Sequence, residues 1–230
     1  MQRLAIYDMD KTITRAATWA PFLRHAVLAR APWRAALLPL LAGVGVGYWA
    51  GIGNRATLKE NAQRLMMGGT VAAPVLAGLA DDFAAALMET GIYPAAIARI
   101  AEDRAAGYRL VLATASFDFY VQAIAARLGF DAVVATRSVE DDRGGVRAQI
   151  AGDNCYGAAK LEMIEAWLAA QDIARDAAHI RFYSDHVSDA PTLAWADEAF
   201  AVNPHPPLRA LATKAGWPIL DWRHGDSAAG

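Results

Sequence analysis

Asp8-Met9-Asp10-Lys11-Thr12 is the stretch on which the reading of this chain turns. It follows a short apolar run, Leu4-Ala5-Ile6-Tyr7, which has the character of a buried parallel strand. Both carboxylates therefore stand where a strand ends and a loop begins, the place where open α/β sheets keep their ligands. In an apolar site they repel each other, so one protonates or a cation neutralises the pair. Either outcome suits phosphate chemistry. A divalent metal bridges carboxylate and phosphate, one Asp attacks phosphorus, and the other manages protons. The plain alternative is an Asp-rich turn, and five residues do not separate the two readings.

With 230 residues, the chain suits one large domain or a core with a smaller insertion. At 55% hydrophobic and 20% charged it can bury a sizeable core, which excludes disorder. The net charge of −2, without a clustered basic face, argues against a nucleic-acid partner. Cys155 is the single cysteine, so no internal disulfide forms and a reducing, cytoplasmic compartment is expected. Cys155 reads as a buried structural thiol rather than a nucleophile. Met1-Gln2-Arg3 leads straight into the strand, so cleavage of a signal peptide would remove the motif. Ala35 to Gly53 carries no charge and approaches the length of a membrane span. A single crossing would put Asp8 on one side and everything after Asn54 on the other. Pro39 and the glycines also weaken it as a helix. The expectation is a buried or membrane-touching hairpin.

After Thr14 the pattern turns helical and stays so to about Met88. Thr18-Trp19-Ala20-Pro21 reads as a helix start. Arg55 to Met67 is amphipathic, with Leu58, Ala62, Leu65 and Met66 on one face and Lys59, Glu60, Gln63 and Arg64 off it. A further helix is expected over about Val71 to Met88, and no strand between residues 15 and 89. From Gly91 onward helices and strands alternate. Strands are expected at Leu110–Ala113, Ala132–Ala135, Ile180–Tyr183, Phe200–Val202 and Trp217–Leu220. A hairpin is expected to turn at Asp141-Asp142-Arg143-Gly144-Gly145. The pattern predicts an α/β fold with a doubly wound parallel sheet and an inserted all-helical cap. Residues 1–14 and 90–230 would form the core and residues 15–89 the cap.

Three later sites join Asp8 and Asp10. Thr114-Ala115-Ser116 closes a strand just before a helix, where a hydroxyl and unpaired N–H groups make a phosphate cradle. Lys160 opens a helix after Gly157, off the core face of Leu161, Ile164 and Leu168, at a position the helix dipole does not favour for a cation, so it is expected to serve a ligand or an aspartate. Asp185 follows the strand Ile180–Tyr183 and could bind metal, while Asp189 could hold Lys160. Thr114 as a cap, Lys160 as a solvated lysine and the aspartates as loop caps are the duller readings. Their joint placement at element ends favours one site.

Asp-x-Asp-x-Thr, the strand-terminal Thr114, Lys160 and Ser184-Asp185-His186-Val187-Ser188-Asp189 resemble the four motifs of the haloacid dehalogenase superfamily. The insertion directly after the first motif, Asn154 to Lys160, and Val202-Asn203-Pro204 with Gly216-Trp217-Pro218 are similar to its phosphoserine-phosphatase-like subgroup, subfamily IB. The resemblance covers roughly residues 1–14 and 90–222. It implies a Rossmann-like core and a Mg²⁺-dependent phosphatase. Asp8 would be the nucleophile that forms an aspartyl phosphate, and Asp10 the group that protonates the leaving alcohol and then activates water. Thr114, Ala115 and Lys160 would bind phosphate. Asp8, the backbone carbonyl of Asp10, and Asp185 would hold Mg²⁺, with Asp189 supporting.

Ala17 stands where phosphoserine phosphatases carry a Glu that helps hold the substrate amine, and Ser184 replaces the usual Gly before Asp185. His186 reads as a satisfied loop histidine or a substrate contact. Three substrate classes compete: a small metabolite such as phosphoserine, a membrane-lipid phosphate such as phosphatidylglycerophosphate, and a broad set of small-molecule monoesters. The uncharged segment and Ala17 lean toward lipid and toward peripheral contact with the inner face of a membrane. A membrane-associated adaptor with a degenerate core is the non-enzymatic rival, and such a protein has no need to keep Asp8, Asp10, Thr114, Lys160 and Asp185 together.

Overall fold

The computed structural model describes residues 1–37, 39–40 and 54–224. Most of the uncharged segment, residues 38 and 41–53, and with it the hairpin expected there, lies outside the described residues. Among the described residues no helix is long and apolar enough to cross a membrane.

The first strand, β1 (Gln2–Tyr7), is central. It pairs in parallel with β3 (Arg109–Phe117) on one side and β6 (Ala178–Ser184) on the other. Beyond β3 lies β4 (Ala132–Glu140), and beyond β6 lie β7 (Glu198–Val202) and β8 (Ile219–Leu220), all parallel. The eight-stranded sheet ends in two antiparallel additions, β5 (Gly145–Ala151) on β4 and β2 (Thr70–Ala72) on β5. Asp141 makes the β4–β5 turn, its Oδ1 accepting from the backbone N–H groups of Arg143 (3.0 Å) and Gly145 (2.7 Å).

Strand β2 corrects the expectation that residues 15–89 contain no strand. Thr70-Val71-Ala72 is too short to show alternation, and its pairing with Arg147, Val146 and Gly145 exists only once the hairpin has folded. Among the described residues the insertion also holds helices α1 (Trp19–Arg30), α2 (Arg55–Met67) and α3 (Ala73–Thr90), with a 3₁₀ turn over Pro32–Leu37. Four further helices cover the sheet: α4 (Pro94–Ala105), α5 (Asp118–Leu128), α6 (Ala158–Ala170) and, nearer the C-terminus, α8 (Pro206–Ala215), which follows the short α7 (Ala190–Trp195).

The period-two alternation of the strands splits the core. Leu4 and Ile6 face one side with Val111, Ile180 and Phe182, against Ile164 and Leu168 of α6. Ala5 and Tyr7 face the other with Leu110, Leu112 and Tyr183. Here the insertion joins the core, because Phe22 of α1 and Phe83 of α3 pack with Tyr120 of α5 in the same cluster. A smaller cluster of Leu23, Val27, Ala62 and Met66 holds α1 to α2.

Register also stacks Tyr7 on Tyr183 (centroids 4.3 Å apart) and Tyr183 on Phe200 (4.6 Å) across β1, β6 and β7. Both phenols donate to the buried carboxylate of Asp103 on α4, at 2.5 and 2.9 Å, and Arg181 pairs with it at 2.6 Å. This ties α4 to the strand that ends at Asp8. Burial raises both phenols well above their usual pKa, so they stay donors. Asp103→Leu would leave both phenols without their acceptor and Arg181 with Glu198 as its remaining carboxylate partner. It should cost about 3–5 kcal/mol of stability, the scale of a broken buried ion pair, read as a lower urea midpoint. An unchanged midpoint would show the network to be neutral.

Candidate active site

The chain leaves β1 through a tight turn. The N–H groups of Ile13 and Thr14 both donate to the Met9 carbonyl at 3.0 Å, and Lys11 takes a positive φ of 64° that a non-glycine residue seldom adopts. The turn holds Asp8 and Asp10 at the sheet's C-terminal edge. This is also the switch point, since β1 sends the chain to β3 on one side while β6 lies on the other.

Asp8 is buried, and Lys160 donates to its Oδ1 at 2.8 Å and to Asp189 Oδ2 at 2.6 Å. Ser184 Oγ donates to the same Asp189 oxygen at 2.8 Å. Thr12 Oγ1 lies 3.1 Å from Asp8 Oδ2 and 3.4 Å from Asp185 Oδ1, and accepts from the Asp185 N–H at 3.0 Å. Its single proton serves one carboxylate at a time, so Asp8 and Asp185 are held close with too few donors between them.

Asp10 is held differently. Its Oδ1 accepts from the Thr18 N–H and hydroxyl, each at 2.8 Å, and its Oδ2 accepts from Ser116 Oγ at 2.8 Å. Thr18 sits at the N-cap of α1, yet its side chain makes no capping bond there because the hydroxyl is spent on Asp10. Tyr120 OH stands 2.9 Å from Thr18 Oγ1 and braces it from below.

A cavity of about 230 Å³ opens here, and Asp8, Asp10, Thr114, Ala115, Lys160, Asp185 and Asp189 all line it. Every site residue expected from the sequence therefore reaches one space. Ala17, Lys11, Tyr156, His186 and Ser188 complete the wall. His186 stacks on His205 with ring centroids 4.2 Å apart, and its Nδ1 accepts from the Ser188 N–H at 3.1 Å. Cys155 is fully buried below the site, and burial pushes its thiol up to about 12, which makes it an inert packing group.

Lys160 corrects one expectation. The sequence put it off the apolar face of Leu161, Ile164 and Leu168. In the structure the buried face of α6 runs Lys160, Ile164, Leu168, and Leu161 is only half-buried. The spacing i, i+4, i+8 includes the lysine once buried carboxylates are there to receive it. Gly157, at φ 64°, lets the chain enter the helix in a conformation that side chains resist.

The sequence pointed to neither Thr12 as a bridge between carboxylates nor Thr18 and Ser116 as the holders of Asp10. Hydroxyls near Asp10 were visible, but their aim depends on how α1 and α5 meet.

Burial pushes Asp8 up to about 7 against the pull of Lys160, with Asp189 and Asp185 adding to the rise. Burial and then Asp189 push Asp185 up to about 6. Burial lowers Lys160, but Asp189 and Asp8 outweigh it and keep the ammonium charged. Three buried carboxylates thus share one buried cation, and Asp189 Oδ1 has no hydrogen-bond partner. Among the described residues no three His, Cys, Asp or Glu side chains converge as a ready-made metal cage. Two carboxylates with backbone and water oxygens still fit Mg²⁺, a hard ion that keeps several waters.

Residues 5–194 match the family model of haloacid dehalogenase-like hydrolases. The chain is 36% identical over 136 residues to an inhibition of morphological differentiation protein of Streptomyces azureus, a match covering 59% of this chain and 48% of that protein. It is 33% identical over 123 residues to a probable phosphatase of Mycobacterium tuberculosis, covering 54% of this chain and 42% of that one. The chain therefore spans less than half the length of these relatives. A Bordetella pertussis Tohama I protein of unknown function superposes with a TM-score of 0.85 at 28% identity, over 96% of this chain and 99% of that one. A phosphoserine phosphatase in a phospho-aspartyl intermediate analogue shares the fold, with a TM-score of 0.60 at 18% identity over 97% and 96% of the two chains.

The carboxylate excess has a measurable sign. With Asp8 raised to about 7 and Asp185 to about 6, from 3.8, the native state keeps protons that the unfolded chain releases. Stability of metal-free protein should therefore fall as pH rises through that window. Melting temperature should drop between pH 5 and pH 8 without Mg²⁺, and Mg²⁺ should recover most of the loss. In Asp185→Asn both the drop and the recovery should shrink. Equal behaviour of variant and wild type would mean that Asp185 carries no excess charge.

Proposed function

This chain belongs to the haloacid dehalogenase-like hydrolases, and from that premise we propose that it is a phosphatase acting on a small phosphate monoester. The observation that carries the reading is Asp8, buried on Lys160, beside an Asp10 whose carboxylate is oriented by Thr18 and Ser116 in the same cavity. Residues 1–14 and 90–230 act as the catalytic core, and residues 15–89 as a cap that brings Ala17 and Thr18 to the reacting groups.

Asp8 attacks phosphorus, forming an aspartyl phosphate as the bond from phosphorus to the ester oxygen breaks. Asp10 gives the departing oxygen its proton. Asp10 then takes a proton from water, whose oxygen attacks phosphorus and releases Asp8 and inorganic phosphate. Thr114, the Ala115 N–H and Lys160 hold the phosphoryl oxygens, and Ser184 and Asp189 keep Lys160 aimed. Asp8, Asp185 and the carbonyl of Asp10 would hold Mg²⁺, which supplies charge neutralisation between carboxylates and phosphate.

The wall beyond the phosphate site favours a compact leaving group without an ammonium. Ala17 offers no charge, and the lining carboxylates are those already assigned to the reaction and its ion. A lipid phosphate is the second reading. It draws on an apolar cavity of about 920 Å³ between Leu23, Val27, Leu28 and Phe83, which shares no lining residue with the catalytic cavity. That separation favours the small ester. Completeness of the site weighs against a non-catalytic adaptor.

Hydrolysis of 4-nitrophenyl phosphate with Mg²⁺ tests the proposal. Asp8→Asn should abolish it, Asp10→Asn should slow it at least ~100-fold, and EDTA should stop it. Activity surviving in Asp8→Asn would overturn the mechanism. Lys160→Ala should impair turnover and stability alike. It leaves Asp8 and Asp189 buried without a cation, so turnover and melting temperature should fall together.

A further inference from the structure

Three polar side chains of α2, Lys59, Glu60 and Gln63, are docked rather than solvated. Glu60 Oε1 accepts from the Ile150 N–H at 2.8 Å, and the amide of Gln63 reaches the Arg147 carbonyl at 3.4 Å. Lys59 goes further. Its Nζ donates to the Ala115 carbonyl at 2.5 Å and to Asn154 Oδ1 at 2.8 Å, and stands 4.2 Å from the centroid of the Phe117 ring. Ala115 lines the catalytic cavity, whereas Lys59 does not.

Donor counting shows what this contact does. Two acceptors, Ala115 O and Asn154 Oδ1, face Thr136 Oγ1 at 2.8 and 3.0 Å. Thr136 has one proton, and its oxygen also accepts from the Cys155 N–H at 3.0 Å. Without Lys59 the two oxygens compete for that proton. With Lys59 both are satisfied, and the Ala115 carbonyl is drawn to Lys59 and Thr136. The next N–H, on Ser116, then donates to Thr114 Oγ1 at 3.1 Å. That bond occupies a lone pair of Thr114 and leaves its hydroxyl proton to donate elsewhere. A carbonyl released to swing toward the cavity would set a negative dipole against a phosphate.

We propose that Lys59, reaching from the inserted helix to the Ala115 carbonyl, is a positioning residue that aims the Thr114–Ser116 segment at the phosphoryl group. It couples docking of the insertion to assembly of the phosphate site. The proposal rests on the phosphatase reading and adds a residue that none of the four motifs contains.

Lys59→Met keeps the aliphatic stem and removes both donations. Helix α2 keeps its apolar cluster and the Glu60 and Gln63 contacts, so the melting temperature should stay within a few degrees. The kcat for 4-nitrophenyl phosphate should fall at least ~10-fold, and inorganic phosphate should bind at least ~10-fold more weakly by titration calorimetry. The same factor should apply to esters with neutral and with acidic leaving groups, because the phosphoryl end is common to all. Lys59→Arg should restore part of the loss. Thr136→Val, which removes the other donor to Ala115 without touching α2, should weaken phosphate binding in the same direction.

Normal kcat and normal phosphate affinity in folded Lys59→Met would overturn the proposal. So would a loss confined to acidic leaving groups, which would make Lys59 a substrate contact instead. If Lys59→Met melts early, Thr136→Val decides, and unchanged phosphate binding there overturns the idea. A wild type that binds phosphate but hydrolyses no ester would sink the phosphatase reading, while the calorimetric comparison would still test Lys59.

Discussion

Everything in this molecule converges on one buried ammonium. Lys160 lies between Asp8 and Asp189, and without it three buried carboxylates would surround a space with no buried positive charge. Such a cluster is unstable in a low-dielectric interior unless hydrogen bonds and counter-charge meet it. The flanking structure supplies them: Ser184 on Asp189, Thr12 between Asp8 and Asp185, and a helix whose inward face begins with the lysine. The arrangement still leaves negative charge in excess, and that residual is what a divalent cation and a phosphate would share.

Around this centre the fold divides its labour. The parallel strands place Asp8 and Asp185 at neighbouring ends, because β1 and β6 pair in register with Tyr7 beside Tyr183. The stack of Tyr7, Tyr183 and Phe200, anchored by Asp103, stiffens the sheet beneath the carboxylates. The insertion does more than cover the site. Thr18 from its first turn holds Asp10, and Lys59 from its second described helix holds the phosphate segment. The first contact spans 8 residues and the second 56, and both exist only when the insertion is seated against the core.

The polar face of α2 shows why amphipathic patterns mislead about solvent. Lys59, Glu60 and Gln63 lie off the apolar stripe of α2, as periodicity said, and yet Gln63 is buried and the other two are half-buried. A polar side chain away from the core face is solvated only if nothing polar comes to meet it. Here backbone groups of β5 and of the segment at Ala115 do.

By itself the sequence determined the parallel α/β architecture and the hairpin at Asp141, and it singled out Asp8, Asp10, Thr114, Ala115, Lys160, Asp185 and Asp189, which line one cavity. These were legible because strand ends, helix starts and carboxylate spacing are local properties of the chain. Only the tertiary structure decided that Lys160 points inward, that Thr70–Ala72 becomes a strand, that Thr18 serves Asp10 in place of its own helix, and that Lys59 reaches Ala115. Each of these depends on a partner between about 8 and about 150 residues away. The choice between a solvated and a buried polar group is made by whether that partner arrives, and no local pattern records it.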